Sequence, residues 1–238
     1  DYLSNVKPTE FAFDLSYSRR FGPNLSGGLT FRYINSTVIE GGQNVYYNDH
    51  VHNFAADVAA YWRKPVRFLS KQSKIAVGVV FSNIGTKLKT GAGDKYFLPM
   101  NMRVGGRVTS ALDELNSISL SLDFNKLLVP EDMEYNEDAV PTAVFRSFSD
   151  GFSSSIGTNV GLEYSYNKVF FARMGFSAES KRFGGRSYLT FGAGLSFSPV
   201  TFDIAYFTAV KGQNGVLSNT FKFSLLLAIK ERSKLRAK

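Results

Sequence analysis

The chain has 238 residues, a formal net charge of +8 and no cysteine, which excludes disulfides, thiolate metal sites and thiol catalysis. The positive balance invites an acidic partner, but about half of it comes from Lys230, Arg232, Lys234, Arg236 and Lys238, offset by Glu231, and no nucleic-acid-binding motif accompanies it, so nucleic acid is not an expected partner. Aromatic residues make up 15% of the chain without a helical period to cover them, and no stretch approaches the ~18 apolar residues of a membrane helix.

Strict alternation of apolar and polar residues, the period of a strand with two unlike faces, recurs along the chain. Phe11, Phe13, Leu15 and Tyr17 alternate with Ala12, Asp14, Ser16 and Ser18. Leu29, Phe31 and Tyr33 alternate with Gly28, Thr30 and Arg32, and Phe54, Ala56, Val58, Ala60 and Trp62 with Ala55, Asp57, Ala59, Tyr61 and Arg63. Then come Ile75, Val77, Val79, Phe81; Met100, Met102, Val104 against Asn101, Arg103, Gly105, Arg107; and Ile118, Leu120, Leu122, Phe124 against Ser119, Ser121, Asp123. Val160, Leu162, Tyr164, Tyr166 face Asn159, Gly161, Glu163, Ser165, and Phe170, Ala172, Met174, Phe176 face Arg173, Gly175, Ser177. Leu189 to Phe197, Phe202 to Tyr206 and Phe221 to Ile229 complete about eleven strands by this template.

Alternation alone also suits a soluble antiparallel sheet with one wet face. Two features point instead to strands that cross lipid. Nearly every polar register carries an ionisable group in mid-strand: Asp14, Arg32, Asp57, Arg103, Arg107, Asp123, Glu163, Arg173, Asp203 and Lys222. Mixed signs suit a lumen in which acids and bases pair across neighbouring strands. The segments are also about ten residues long, the length of a tilted strand spanning a bilayer. Only a closed barrel leaves no unpaired backbone edge in hydrocarbon. The expected fold is an all-β transmembrane antiparallel barrel occupying residues 1–238, integral to an outer membrane and in contact with its lipid.

Connections alternate in length. Gly22-Pro23-Asn24, Ala111–Asn116, Asn167-Lys168 and Ser198-Pro199 are short, with Lys64–Gln72 somewhat longer. Val38–His50, Thr86–Pro99, Leu128–Ser154, Ser180–Gly185 and Val210–Ser218 are long. Short turns belong on the periplasmic side and long loops outside, so the first strand descends and the last also ends in the periplasm. A mature barrel begins in the periplasm, hence an odd number of strands is expected before Asp1, and eleven plus three gives an even fourteen.

Local constellations offer little chemistry. Asp49-His50-Val51-His52 places two imidazoles on one face, but zinc takes three or four ligands and the chain has no third His, so a polar loop-to-strand junction is expected. Glu131, Asp132, Glu134, Glu137 and Asp138 could offer oxygens to calcium, yet the EF-hand spacing and its central Gly are missing. No nucleophile elbow, phosphate-cradling loop or acid–base pair is present; neither catalysis, metal nor cofactor is expected. Tyr46, Tyr47, Tyr96, Phe97, Phe145 and Phe148 fall on the long-loop side. They serve either as rigid anchors for a protein partner or as a headgroup-level girdle and loop packing over the lumen.

Several phrases carry a family likeness: DFNKLLVP (Asp123–Pro130), FRSFSDGF (Phe145–Phe152), VGLEYSYN (Val160–Asn167), GGRSYLTFGAGL (Gly184–Leu195) and NTFKFSLLL (Asn219–Leu227), with KPTEFAFDLSYSRRF (Lys7–Phe21) and LTFRYINS (Leu29–Ser36) upstream. In this order they resemble the PorV family, also called LptO, of the Bacteroidetes type IX secretion system. The resemblance implies a FadL-like fourteen-stranded barrel, of which this chain carries about eleven strands. It further implies binding of the C-terminal signal domain of secreted cargo, docking beside an SprA-like translocon subunit and delivery to a PorU-type attachment complex. The chain departs from the family pattern in lacking the first strands and plug, and in ending on the basic stretch Glu231–Lys238. A FadL-like transporter of hydrophobic solutes is the alternative, although the polar registers are mostly charged or small. A lipid A deacylase, once suggested for the family, would need a Ser/His/acid arrangement that this chain does not contain.

Overall fold

Aromatic and β-branched residues alternating with small or polar ones fit a pleated surface, and each alternating row becomes a strand. The computed structural model describes residues 9–42, 45–68, 71–89, 95–130, 137–149, 155–180, 184–210 and 218–228, with backbone alone over 37–42 and 45–50. The strands are β1 (Glu10–Arg20), β2 (Leu25–Gly42), β3 (Val45–Phe68), β4 (Lys71–Gly85), β5 (Leu88–Lys89), β6 (Lys95–Tyr96), β7 (Asn101–Ala111) and β8 (Asn116–Leu127). After the helix α1 (Val140–Arg146) come β9 (Ile156–Tyr166), β10 (Phe170–Ala178), β11 (Ser187–Phe197), β12 (Val200–Ala209) and β13 (Thr220–Leu227).

Eleven of these strands form one sheet in the order β1-β2-β3-β4-β7-β8-β9-β10-β11-β12-β13, and β5 pairs only with β6. Apart from the β5–β6 excursion between β4 and β7, sequence neighbours are sheet neighbours, the meander of an up-and-down barrel wall. The expected eleven strands and all-β class are what the chain forms. No helix among the described residues is long and apolar enough to cross a membrane.

Strand ends differ from expectation where β-forming residues continue into the anticipated loops. Most of Val38–His50 is not a loop: β2 runs to Gly42 and β3 resumes at Val45, paired from Thr37↔His50 through Gly42↔Val45. Thr37, Val38 and Ile39 on β2, with Tyr46 and Tyr47 on the facing strand opposite Gly41 and Glu40, are strand-forming residue types that suit a ladder better than a coil. Likewise β3 and β4 consume most of Lys64–Gln72, the two-residue strands β5 and β6 lie within Thr86–Pro99, and α1 lies within Leu128–Ser154 with Pro141 in its first turn.

The short connections are tight for local reasons. Asn167 and Lys168 both have positive φ, 51° and 55°, and the Val169 N–H donates to the Tyr166 carbonyl at 3.0 Å, the pattern of a type I′ hairpin. Asp113 closes the β7–β8 turn by accepting from the Leu115 and Asn116 N–H groups at 2.9 and 2.8 Å. The Asn116 side-chain amide, and after it these backbone bonds, hold its carboxyl below the usual carboxylate range.

By internal contacts the chain falls into two compact units. The first is Asp1–Arg63, Ala76–Gly105 and Phe124–Ile156; the second is Lys64–Ile75, Gly106–Asp123 and Gly157–Lys238. In both, the burial pattern is the reverse of a water-soluble protein. Phe11, Phe13, Leu15, Phe31 and Phe54 in the first unit, and Leu120, Phe176, Phe191, Phe223 and Leu225 in the second, are exposed. They lie on one face in register, as Phe176↔Leu189, Met174↔Phe191↔Tyr206 and Phe13↔Tyr33↔Phe54 show. A soluble sheet would bury such a continuous apolar field against a second layer. Among the described residues the fully buried large apolar side chains are few: Met100 and Leu128 are 0% exposed and sit at the loop end of the first unit, where the Leu128 N–H donates to the Met100 carbonyl at 2.8 Å.

Cross-strand rings line the ends of the apolar face. Phe11, Tyr33 and Phe54 run side by side at 6.0 and 5.5 Å between centroids, and Tyr206 meets Phe221 at 4.8 Å. Tyrosine hydroxyls at these ends find polar partners: Tyr206 donates to Asn219 at 2.8 Å, and Tyr164 to Asn116. Apolar rings with a wet hydroxyl tip are suited to a headgroup boundary.

Candidate functional site

The polar face carries its charges as two separate networks, one in each unit. In the first, Arg32 of β2 forks onto Asp14 of β1, with Nε and Nη2 donating to the two carboxylate oxygens at 2.8 and 2.9 Å. Asp14 and Arg32 are direct register partners, so period two alone places them opposite each other. The same guanidinium reaches Asp57 of β3 at 3.5 Å and also donates to Asn83. Asn83 has a positive φ of 57°, which turns its backbone so that the Asn83 N–H donates to Asp57 at 2.7 Å. Asp57 is thereby oriented by a β4 residue absent from the expected set. Asn is the residue type that adopts this conformation most readily after Gly, and that was the available signal.

In the second unit the charges alternate in sign across the sheet. Arg107 of β7 and Arg173 of β10 both donate to Glu163 of β9, the latter through Nε at 2.7 Å, and Arg173 Nη1 donates onward to Asp203 of β12. Arg173 and Glu163 are register partners, whereas Asp203 lies two strands from Arg173. The intervening strand β11 is bare at this point: Gly192 pairs with Arg173, and Gly194 with Asp203. A Cβ on Gly194 would stand 3.0 Å from Arg173 Nη1 and closer still to the Asp203 carboxylate. Glycine is therefore required here for the arginine to pass over the strand.

The remaining sequence-predicted charges behave differently. Lys222 of β13 has its ammonium 5.2 Å from the centre of the Phe207 ring, a cation–π contact. Arg103 is exposed and Asp123 half-buried, and neither has a hydrogen-bond or ion-pair partner among the described residues.

Loop aromatics are distributed unequally. Phe145 in α1 is 78% exposed, the most open large apolar side chain of the described residues, with Phe148 and Tyr96 also exposed. Phe97 lies under the Lys87 ammonium at 4.5 Å. Tyr46 and Tyr47 pair with Gly41 and Glu40 through the backbone, and their side chains lie outside the described residues. The same holds for the side chain of His50, while His52 Nδ1 meets the Tyr33 hydroxyl at 2.7 Å and the Asn35 amide at 2.9 Å. Of the acidic run, Glu131, Asp132 and Glu134 lie outside the described residues. Glu137 pairs with Lys95 at 2.7 Å, which holds its carboxyl below the usual range, and Asp138 pairs with Arg146 at 3.1 Å. No group of metal-ligating side chains is gathered among the described residues.

The family model described as type IX secretion system protein PorV matches residues 3–134, more than half of the chain. The chain belongs to the PorV family. It is a type IX secretion system protein, and the family description names a secretion component, not a catalyst. No curated protein matches the chain. Of the phrases that resemble PorV, Lys7–Phe21, Leu29–Ser36 and Asp123–Pro130 fall inside the matched stretch. Those from Phe145 onward lie beyond it and rest on sequence likeness alone.

Two of these PorV-like phrases meet in the first unit. Lys126 of the NKLLVP segment is only 3% exposed. Its ammonium donates to Ser155 at 2.7 Å and lies 5.5 Å from the ring of Phe148 in the SFSD segment. A buried ammonium needs such partners, so Lys126 ties the strand end to the helix-bearing loop. Sequence reasoning passed over this lysine because one cation at a strand end carries no pattern.

Proposed function

We propose that this chain is an integral outer-membrane component of the type IX system. In that role it binds the C-terminal signal domain of secreted cargo on its extracellular loops and carries it from an SprA-like translocon subunit to a PorU-type attachment complex. The carrying observation, beside family membership, is an apolar strand face whose large side chains are mostly exposed, which belongs in lipid, together with a loop helix that presents Phe145 to solvent while Lys126 anchors its neighbour Phe148. Rigid exposed rings on an anchored loop gain large contact area at small rotamer cost. Tyr46, Tyr47, Tyr96, Phe97, Phe145 and Phe148 are the proposed contacts, and the polar-face charges form the wall of the lumen. The test is affinity isolation of the tagged chain from native outer membranes, with Phe145→Ala/Phe148→Ala alongside. Recovery of cargo signal domains and a very large translocon subunit, with cargo reduced at least about tenfold in the double variant as expected for loss of hot-spot rings, is the expected result. A monomer that binds fatty acid and no protein would replace this function with hydrophobic-solute transport.

A further inference from the structure

The second unit holds a pocket of about 440 Å³ on its polar face, within the range of small-molecule sites. Its floor is built on glycines over which neighbouring hydroxyls lean: a Cβ on Gly161 would stand 2.8 Å from Ser121 Oγ, and one on Gly175 2.7 Å from Thr190 Oγ1. Gly161 and Gly175 are register partners on β9 and β10, while on β11 Thr190 faces Gly175 and Gly192 faces Arg173. Around this floor stand the charged groups of Arg107, Arg173, Glu163, Asp203 and Asp123. Glycine at these strand positions costs sheet stability but lets the Ser121 and Thr190 hydroxyls lean over the strands, so that donors and acceptors line the space.

The charges are not used up by one another. Arg107 donates through Nε to Thr109 and through Nη2 to Glu163, and Arg173 through Nε to Glu163 and Nη1 to Asp203. Each guanidinium thus keeps one terminal nitrogen for another acceptor. Asp123, lining the same pocket, has no partner among the described residues. The space therefore offers spare charged donors and a spare charged acceptor together. An apolar solute would leave them desolvated and unpaired, and a simple anion would satisfy only the arginines.

We propose that this pocket is a binding site for a small zwitterion of the amino-acid or dipeptide class, with its carboxylate on Arg107 and Arg173 and its ammonium on Asp123. The site is independent of cargo binding by the loops. The test is titration of the full chain in detergent with glycylglycine, its N-acetyl form, its C-terminal amide, maltose and octanoate, read by calorimetry and by the unfolding midpoint. Glycylglycine binds and raises the midpoint; either capped form binds at least about tenfold more weakly, as expected for one lost charged contact. Asp123→Asn loses the preference for the free amine while retaining the preference for the free carboxylate. The assignment is overturned by absence of glycylglycine binding at 10 mM (a ceiling of about −3 kcal/mol), by equal binding of capped and free forms, or by maltose or octanoate binding more tightly. Circular dichroism of Asp123→Asn separates loss of binding from loss of fold, and Arg107→Gln, which must lose the preference for the carboxylate instead, supplies an independent variant.

Discussion

Placing one arginine at Phe191 tests which face of the sheet meets lipid. Phe191 is the fifth of eleven residues in β11, is 48% exposed on the apolar face, and is flanked in register by Met174 and Tyr206. At about 3.3 Å per residue and a tilt near 40°, it lies roughly 10 Å from the loop end of a strand whose projection is about 25 Å. That is close to the middle of the hydrocarbon, where an arginine on the lipid face costs about 2–4 kcal/mol. A half-exposed Phe that instead faced water would tolerate Phe191→Arg within about 0.5 kcal/mol. The two outcomes differ by about 1.5–3.5 kcal/mol, at least a tenfold change in the folding equilibrium. Equilibrium folding into lipid vesicles across a denaturant series, followed by the single tryptophan Trp62, measures it. Ala205→Glu on the polar face is the control, because Ala205 is the register partner of Lys222, and a change within about 0.5 kcal/mol is expected. The reasoning fails if Phe191→Arg is as stable as the parent chain, or if Ala205→Glu is equally damaging.

Gly194→Ala should cost about 0.5–1 kcal/mol through displacement of the Arg173–Asp203 pair, whose side chains are 36% and 31% exposed. In an Asp203→Ala background the same substitution should be neutral or stabilising, since only the backbone-entropy gain of Ala remains; denaturant midpoints of the four chains give the answer, and an unchanged sign would exclude the pair as the cause. For Asp113, the folded carboxyl titrates below its unfolded value, so its stabilisation is present above about pH 4 and is lost as pH falls through the lower folded value. Asp113→Asn should therefore flatten the acid limb of unfolding midpoints measured from pH 7 to pH 3, and an unchanged limb would refute the turn assignment.

Period two was enough to define the strands, because side chains on a pleated chain must alternate between faces whatever the chain packs against. Phe11 to Tyr17 and Leu189 to Phe197 could be placed on one face, and Asp14, Arg32 and Glu163 on the other, without any coordinates. The direct pairs Asp14–Arg32 and Glu163–Arg173 required only register, which the hairpin turns set. Strand ends were less legible, since Val38, Ile39, Tyr46 and Tyr47 carry strand propensity in a region where connection length alone spoke for a loop.

What the sequence by itself determined is the strand count, the two unlike faces and the family, all of which follow from local alternation and from contiguous phrases. Only the tertiary structure decided that Arg173 crosses a glycine strand to reach Asp203, that Asn83 turns to hold Asp57, and that Lys126 is buried beside Phe148 and Ser155. These contacts join residues 22 to 30 positions apart through the exact depth and direction of side chains, and no one-dimensional period encodes either quantity.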